Sequence, residues 1–169
     1  MAQNAYQFSE KENNYLARCV DLAEEAFKAG DAPFGSILVN NEGQIIAEDR
    51  NRANAINALA HPEYTLAEWA IKNLTIDERR KTTMYTSGEH CVMCSGANAW
   101  AEIGKIVYLS SGQQLENWSK EAGNKDASLI NYIPIQKVAP HIEVKGPREG
   151  KLLERIKVLQ LSYFKSLRQ

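Results

Sequence analysis

The sequence predicts an α/β layered domain. Three observations carry that expectation. Segments with apolar residues at three- and four-residue spacing alternate with short β-prone runs. Gly and Pro punctuate the junctions. An Asn-Glu-Gly turn joins two of the runs, which places a hairpin at one end of a sheet. The 169 residues suit one domain, 1–169, with a single sizeable core. Being 44% apolar and 24% charged, the chain reads neither as disordered nor as fibrous.

Taken in order, Ser9 caps a first helix whose apolar stripe is Leu16, Cys19, Val20, Ala23, Ala26 and Phe27, with Gly30 as its stop. Cys19 on that stripe reads as a small buried hydrophobe. Pro33-Phe34-Gly35 opens a strand over 36–39, and Asn41-Glu42-Gly43 turns it into a return strand over 44–47. Residues 48–57 read as a polar loop carrying Asn51, Asn54 and Asn57. A second helix begins at His61, with Pro62 at the first helical position, where its missing N–H is no loss. Residues 82–86 read as a strand, 87–90 as a loop, 91–102 as a helix ended by Gly104, and 105–109 as a strand. Between 110 and 140 only the Gly123-Asn124 turn and the breaks at Pro134 and Pro140 are legible. A final strand is expected over 142–145. Gly146-Pro147 then leads to a last helix with Leu152, Ile156, Leu159, Tyr163, Phe164 and Leu167 on its buried face.

The net charge of −1 supplies no global field for nucleic acid or anionic lipid. Residues 137–169 nevertheless hold eight Lys/Arg against three Asp/Glu. A solvated face is the plain reading of such a helix, and a nucleic-acid contact is the alternative. The first ten residues lack the apolar stretch of a signal peptide, and no run is long enough to cross a membrane. Two of the three cysteines form Cys-x-x-Cys, which without a secretory signal points to metal or redox chemistry in a reducing cytoplasm.

The chemistry concentrates in His61-Pro62-Glu63 and Cys91-Val92-Met93-Cys94. Cys91 and Cys94 share one face of a first helical turn, where the positive helix end favours thiolates. His61 starts another helix. Facing one another, the two helix ends place one nitrogen and two sulfurs around a single Zn²⁺ and leave the fourth position for water, the catalytic pattern. Zinc lowers the pKa of that water to about 7. Glu63, two residues past the His, reaches the water without binding the metal and is the candidate proton shuttle. A redox pair would have no use for His-x-Glu. A structural site would need a fourth ligand, which only His90 or His141 remains to supply; His141 beside Pro140 reads as a surface residue.

These residues resemble the zinc-dependent cytidine deaminase superfamily, whose signature is H-x-E…P-C-x-x-C. Ala32-Pro33-Phe34-Gly35, Asp49-Arg50-Asn51-Arg52, Thr83-Met84-Tyr85-Thr86 and Ile103-Gly104-Lys105-Ile106-Val107-Tyr108 are similar to its flanking segments. The resemblance covers about residues 10–110 and is weaker in the last helix. Within the superfamily it points to the branch of bacterial guanine deaminase, yeast-type cytosine deaminase and tRNA adenosine deaminase. It implies a three-layer α/β/α fold with a central five-stranded mixed sheet, one Zn²⁺ per chain held by His61, Cys91 and Cys94, Glu63 as shuttle, Asn51 as a substrate contact, and a homodimer. Phe34, in the segment that enters the first strand, is a further substrate-binding candidate. Two residues depart from the pattern: His90 stands where the family usually has Pro, which loosens the turn or turns an imidazole toward substrate, and Pro62 stands where it usually has Ala.

The expected reaction is hydrolytic deamination of a free nucleobase or nucleoside, purine type such as guanine preferred, with attack on a ring amidine carbon and release of ammonia. Asn98-Ala99-Trp100 is similar to the guanine deaminase helix, so Trp100 reads either as a stacking wall or as core. Lys120 to Asp126 is loosely like the acidic loop of those enzymes, which makes Asp126 a second candidate acid. The other readings are a tRNA adenosine deaminase, a pyrimidine deaminase, and a non-catalytic zinc-fold binding protein. Intact Glu63 argues against the last, since an unpaired buried carboxylate is costly without a use.

Overall fold

The computed structural model describes residues 6–124 and 128–167. Helix α1 (Glu10–Lys28) opens with Ser9 in a reciprocal capping box with Glu12. Strands β1 (Gly35–Val39) and β2 (Ile45–Arg50) form the expected antiparallel hairpin. β2 is longer than its periodicity suggests, because Glu48 to Arg50 pair with Ile37 to Gly35 instead of leaving the sheet. After α2 (Pro62–Asn73), a short α3 (Ile76–Arg80) starts at Thr75, boxed with Glu78. Then come β3 (Thr83–Gly88), α4 (Val92–Trp100) and β4 (Lys105–Ser110). α4 stops at Trp100 rather than running on to Glu102, which instead turns the chain with φ 56°. The stretch illegible in the sequence contains α5 (Gly112–Glu121), boxed by Ser111 and Gln114, and a four-residue α6 (Ile135–Val138). β5 (Glu143–Lys145) and α7 (Lys151–Ser166) complete the chain.

The five strands form one mixed sheet in the order β2-β1-β3-β4-β5. β1 runs antiparallel to β2 and β3, while β3, β4 and β5 are parallel. Alternate side chains feed two cores, as strand geometry requires. Ile37, Val39, Tyr85, Val107 and Leu109 pack with α1, Trp118 of α5, and Leu153 and Ile156 of α7. Leu38, Met84, Ile106 and Tyr108 pack on the other face with Leu66, Ala67 and Ala70 of α2 and with Ile135 of α6. Burial on both faces explains the continuous apolar runs Ile37 to Val39 in β1 and Ile106 to Leu109 in β4. Gly35 is obligatory at the start of β1, where an added Cβ would lie 2.4 Å from Leu22 Cβ and 2.5 Å from the Cys19 carbonyl oxygen.

The last helix packs the expected face inward around Ile156, widened by Leu153 and Gln160, and leaves Leu167 outside. Leu153, Ile156 and Gln160 are buried, Leu152, Leu159 and Phe164 are partly so, and Leu167 is exposed. Gln160 reaches across to donate from Nε2 to the Pro33 carbonyl at 2.8 Å. Several cations of the basic segment are drawn into ion pairs: Arg155 with Asp21 and Glu24, Lys157 with Glu121, and Lys145 with Glu12. No helix among the described residues is long and apolar enough to cross a membrane.

Candidate metal centre and its surroundings

Both ligand segments end as helix caps. His61 is the N-cap residue of α2 and Cys91 that of α4, each in an extended conformation. Cys91 Sγ also accepts from the Cys94 main-chain N–H at 3.5 Å, which turns the sulfur toward the helix end. The donors of His61, Cys91 and Cys94 lie within 4.8 Å of one another. His61 Nδ1 sits 3.8 Å from Cys91 Sγ and 3.7 Å from Cys94 Sγ, so Nδ1 is the nitrogen that faces the sulfurs. One imidazole and two thiols at this spacing fit a tetrahedral zinc with one position open. Neither His90 nor His141 joins the cluster among the described residues, which corrects the reading of His90 as a closing fourth ligand.

Charge in the cluster follows from these contacts. A hydrogen bond from the Cys94 thiol, helped by His61, brings Cys91 down to about 4 despite burial. The same bond, with burial and the nearby Glu63, pushes Cys94 up. His61 is raised by its contact with Cys91. Glu63, in the first turn of α2, is 4% exposed, and burial raises its carboxyl. Its Oε1 accepts from Thr86 Oγ1 at 3.0 Å and Ser36 Oγ at 3.3 Å, while Oε2 lies 3.8 Å from Cys94 Sγ. One carboxylate oxygen is therefore anchored to the sheet and the other faces the metal donors.

Three residues that sequence reasoning did not single out for this purpose hold the site together. Asn98, fully buried, donates from Nδ2 to the main-chain oxygens of Glu63 (3.1 Å) and Cys94 (3.0 Å), linking α2 to α4. Its position four residues after Cys94, on the same helix face, was the available signal. Glu89 accepts from the Gly112 amide at 2.8 Å and the Ile135 amide at 3.1 Å, and so caps α5 and α6 at once. Asp49 accepts from Thr65 Oγ1 of α2 and from Arg52 Nη2, fixing the loop after β2.

That loop carries Asn51, which is buried. Its N–H bonds the Phe34 carbonyl at 2.9 Å and its Oδ1 accepts from Ala53 N at 2.9 Å. Arg52 N bonds the Ala60 carbonyl at 3.0 Å, closing the loop one residue before His61. Phe34, half-buried, lies so near Gly88 that an added Cβ there would be 2.9 Å from its ring. Asn51, Phe34, His61 and the Glu89-His90-Cys91 turn therefore converge at one end of β1 and β3. His90 is 3% exposed, neither ring nitrogen has a partner among the described residues, and burial brings its pKa down to about 3. A cavity of about 1130 Å³ opens beside it, walled by Glu89, Tyr108, Gly112, Tyr132 and Arg148. The metal donors do not line this cavity, which meets the site through His90.

Trp100 is not brought to this place. It is 88% exposed at the far end of α4, about 12 Å along the helix from Val92. It is thus neither core nor a stacking wall for the site of its own chain, because α4 points its N-terminus, not its C-terminus, at the donors. Asp126 lies outside the described residues.

Comparison with known proteins agrees with this geometry. Residues 9–110 match the family model described as the cytidine and deoxycytidylate deaminase zinc-binding region. The chain belongs to this family. It is a zinc-binding hydrolytic deaminase of the nucleobase and nucleoside type, and its described donors are the set such a zinc needs. Similar curated proteins include a probable cytosine deaminase of Schizosaccharomyces pombe, 32% identical over 83% of this chain and 86% of that protein. The guanine deaminase of Bacillus subtilis is 36% identical over 70% and 74%. The tRNA-specific adenosine deaminase of the same organism is 27% identical over 92% and 89%. A solved structure of guanine deaminase from Nitrosomonas europaea superposes with a TM-score of 0.65 at 18% identity, covering 94% of this chain and 86% of that one, a likeness of fold.

Proposed function

We propose that this deaminase acts on a small-molecule nucleobase or nucleoside, purine type such as guanine preferred, with Glu63 as its proton shuttle. The observation that carries the reading is the divided environment of Glu63. Thr86 and Ser36 hold Oε1, while Oε2 faces the donors without joining them. A zinc ion held by His61, Cys91 and Cys94 would lower the pKa of the attacking water to about 7. Glu63 Oε2 takes a proton from that water as its oxygen adds to the ring carbon, and passes it to the ring nitrogen. It then takes the second proton from the added oxygen to the amine, whose bond to carbon breaks as ammonia leaves and the oxo group forms. Burial raises the Glu63 carboxyl, which favours the protonated form that donates to the amine.

Asn51 is the substrate contact in this reading. Its Oδ1 is occupied by Ala53 N, and its Nδ2 has no partner among the described residues, so it offers a donor to a ring nitrogen or a carbonyl oxygen. Phe34, whose main chain fixes Asn51, supplies an apolar edge, and His90 a polar one. Purine preference is supported by the 36% identity to a guanine deaminase. A tRNA substrate is supported by the 27% identity to a tRNA adenosine deaminase, but three of the C-terminal cations that would meet a phosphate backbone, Lys145, Arg155 and Lys157, are engaged with acidic partners. The reading includes a cytoplasmic homodimer. Ile71 of α2 and Trp100 of α4, on helices that pack together, are large and exposed.

The test is ammonia release from the zinc-loaded protein, with guanine, adenine, cytosine and their nucleosides in parallel and a tRNA anticodon stem-loop as control. Turnover of a purine base or nucleoside upholds the proposal. Turnover of cytosine or cytidine corrects the ring, turnover of the stem-loop alone replaces the small-molecule substrate with RNA, and silence from all removes the catalytic reading. Sedimentation of wild type and Trp100→Glu tests the dimer, which the variant should dissociate.

A further inference from the structure

Asp31, just past the end of α1, is fully buried and stands outside the metal donor set. A charge leaves water without great cost only where it is paired and hydrogen-bonded. The C-terminal end of a helix gives a carboxylate no help, because the helix dipole is negative there. What holds Asp31 comes instead from the end of β2 and the loop after it. Its Oδ1 accepts from Asn54 N at 2.8 Å and from Ala55 N at 3.3 Å, and its Oδ2 accepts from Arg50 Nη1 at 3.4 Å.

These bonds enclose Asn51 from both sides in the chain. Arg50 Nη1 also donates to the Asn51 carbonyl at 3.2 Å. Asn51 Oδ1 accepts from Ala53 N at 2.9 Å, a local turn that decides which way the carboxamide faces. The main-chain N–H groups of Ala53, Asn54 and Ala55 thus go to two side chains, the first to Asn51 and the next two to Asp31. While Asp31 holds Asn54 and Ala55, Ala53 N stays where it fixes Asn51 Oδ1, and Nδ2 is the atom left to donate to a ligand. The far end of the loop is held without Asp31. Arg52 N bonds the Ala60 carbonyl at 3.0 Å and Ala60 N the Asn57 carbonyl at 2.9 Å, immediately before His61. Asp31 therefore bears on the substrate end of this loop and not on its metal end.

We infer that Asp31 is a positioning residue for substrate binding, which sets the orientation of the Asn51 carboxamide without touching substrate or metal. The inference rests on the reading of Asn51 as the substrate contact. Its test measures KM, kcat and zinc content for zinc-loaded wild type, Asp31→Ala, Asn51→Ala and the double variant, with whichever base, nucleoside or stem-loop releases ammonia. Asp31→Ala should raise KM about tenfold, the effect of one lost hydrogen bond, while kcat and zinc content hold. In the Asn51→Ala background the same substitution should change KM by less than about twofold, because it acts only through the carboxamide. An unchanged KM, an equal rise in both backgrounds, or a fall in kcat or zinc content as large as the rise in KM would overturn the inference. If Asn51→Ala leaves KM unchanged, the substrate-contact reading fails, and if nothing releases ammonia, the proposed reaction fails. In both cases Asp31 is judged by amide hydrogen exchange, which reports local opening. Ala53 N is bonded to Asn51 and not to Asp31. Faster exchange at Ala53 in Asp31→Ala, with Ala60 unchanged, upholds the positioning role, and any other pattern overturns it. If Asp31→Ala does not fold, Asp31→Asn takes its place under the same criteria. With one oxygen and one amino group, it sets donor against donor on the Arg50 side or on the Asn54 side.

Discussion

Asn98 Nδ2 donates to the main-chain oxygen of Glu63 at 3.1 Å, so the residue that follows the metal cysteines on α4 holds the backbone of the proton-shuttle residue on α2. Its second bond, to the Cys94 carbonyl, stays within α4 and holds the amide in that direction. Asn98→Ala would remove one hydrogen bond from each of two carbonyls that keep their helical donors, at a cost of about 0.5–1.5 kcal/mol each. We expect a lower melting temperature and a zinc affinity reduced about 10–100-fold, as for other residues that orient metal ligands. Chelator competition measures the affinity, and an unchanged value would show that the two helices need no such tie.

Glu63→Ala should retain zinc and fold while losing activity by about 10²–10⁴-fold, the usual contribution of one positioned acid-base group. Metal content by mass spectrometry alongside ammonia release separates the two effects. Substantial turnover in this variant would remove Glu63 from the shuttle.

Cys91 both caps α4 and supplies a metal donor. Cys91→Ala should therefore lose zinc and also fray the first turn of α4. Cys91→Ser, whose hydroxyl restores the cap, should recover part of the melting temperature without recovering the zinc. Full zinc occupancy in either variant contradicts the donor set.

His90→Pro removes two buried nitrogens that lack partners, at a position whose main-chain N–H makes no hydrogen bond among the described residues. Stabilisation by about 0.4–1 kcal/mol is expected from the reduced freedom of the unfolded chain, a rise of roughly 1–4 °C in Tm for a chain of this size. A rise in Tm together with a rise in KM marks His90 as a residue kept for substrate. A fall in Tm would show that the imidazole packs better than its empty bonds suggest.

Acid sensitivity should arise in part where α1 meets β5. Burial pushes the Glu12 carboxyl up, but hydrogen bonds from Lys145 and from the Ser9 main chain outweigh it and leave Glu12 below the usual 4.5. A carboxyl lowered on folding stabilises fully above its unfolded value, and that contribution is lost as pH falls through the folded value. Melting temperatures of wild type and Lys145→Met should therefore differ most above about pH 4.5 and converge toward lower pH. A constant difference across that range would assign the effect to packing.

The legible parts of this molecule were those written in local pattern. The stripe of α1, the Asn-Glu-Gly hairpin, Pro62 at the start of α2 and the Cys-x-x-Cys turn each draw on residues within a few positions of one another. Helices α3 and α5 went unread, because the capping signature in the spacing of Thr75 to Glu78 and of Ser111 to Gln114 is quiet where no strong apolar stripe follows it. The dual cap by Glu89 carries no local signal at all, because its partners stand 23 and 46 residues away and only the tertiary fold brings them near. Trp100 was misplaced for a related reason. Its helical phase is readable, but which end of α4 meets the metal donors decides its surroundings.

Glu89 separates two kinds of inheritance in this chain. On one side of it stand residues whose identity is tied to a metal and a proton. On the other, α5 and α6 are held through main-chain amides, which any side chain except proline provides. Substitutions and changes of length beyond Gly112 can therefore accumulate without loosening the chemistry, provided one carboxylate keeps its two grips. A lineage built this way can exchange its clientele while its reaction stays the same, and a library for altered selectivity belongs in the cavity-facing residues of those segments.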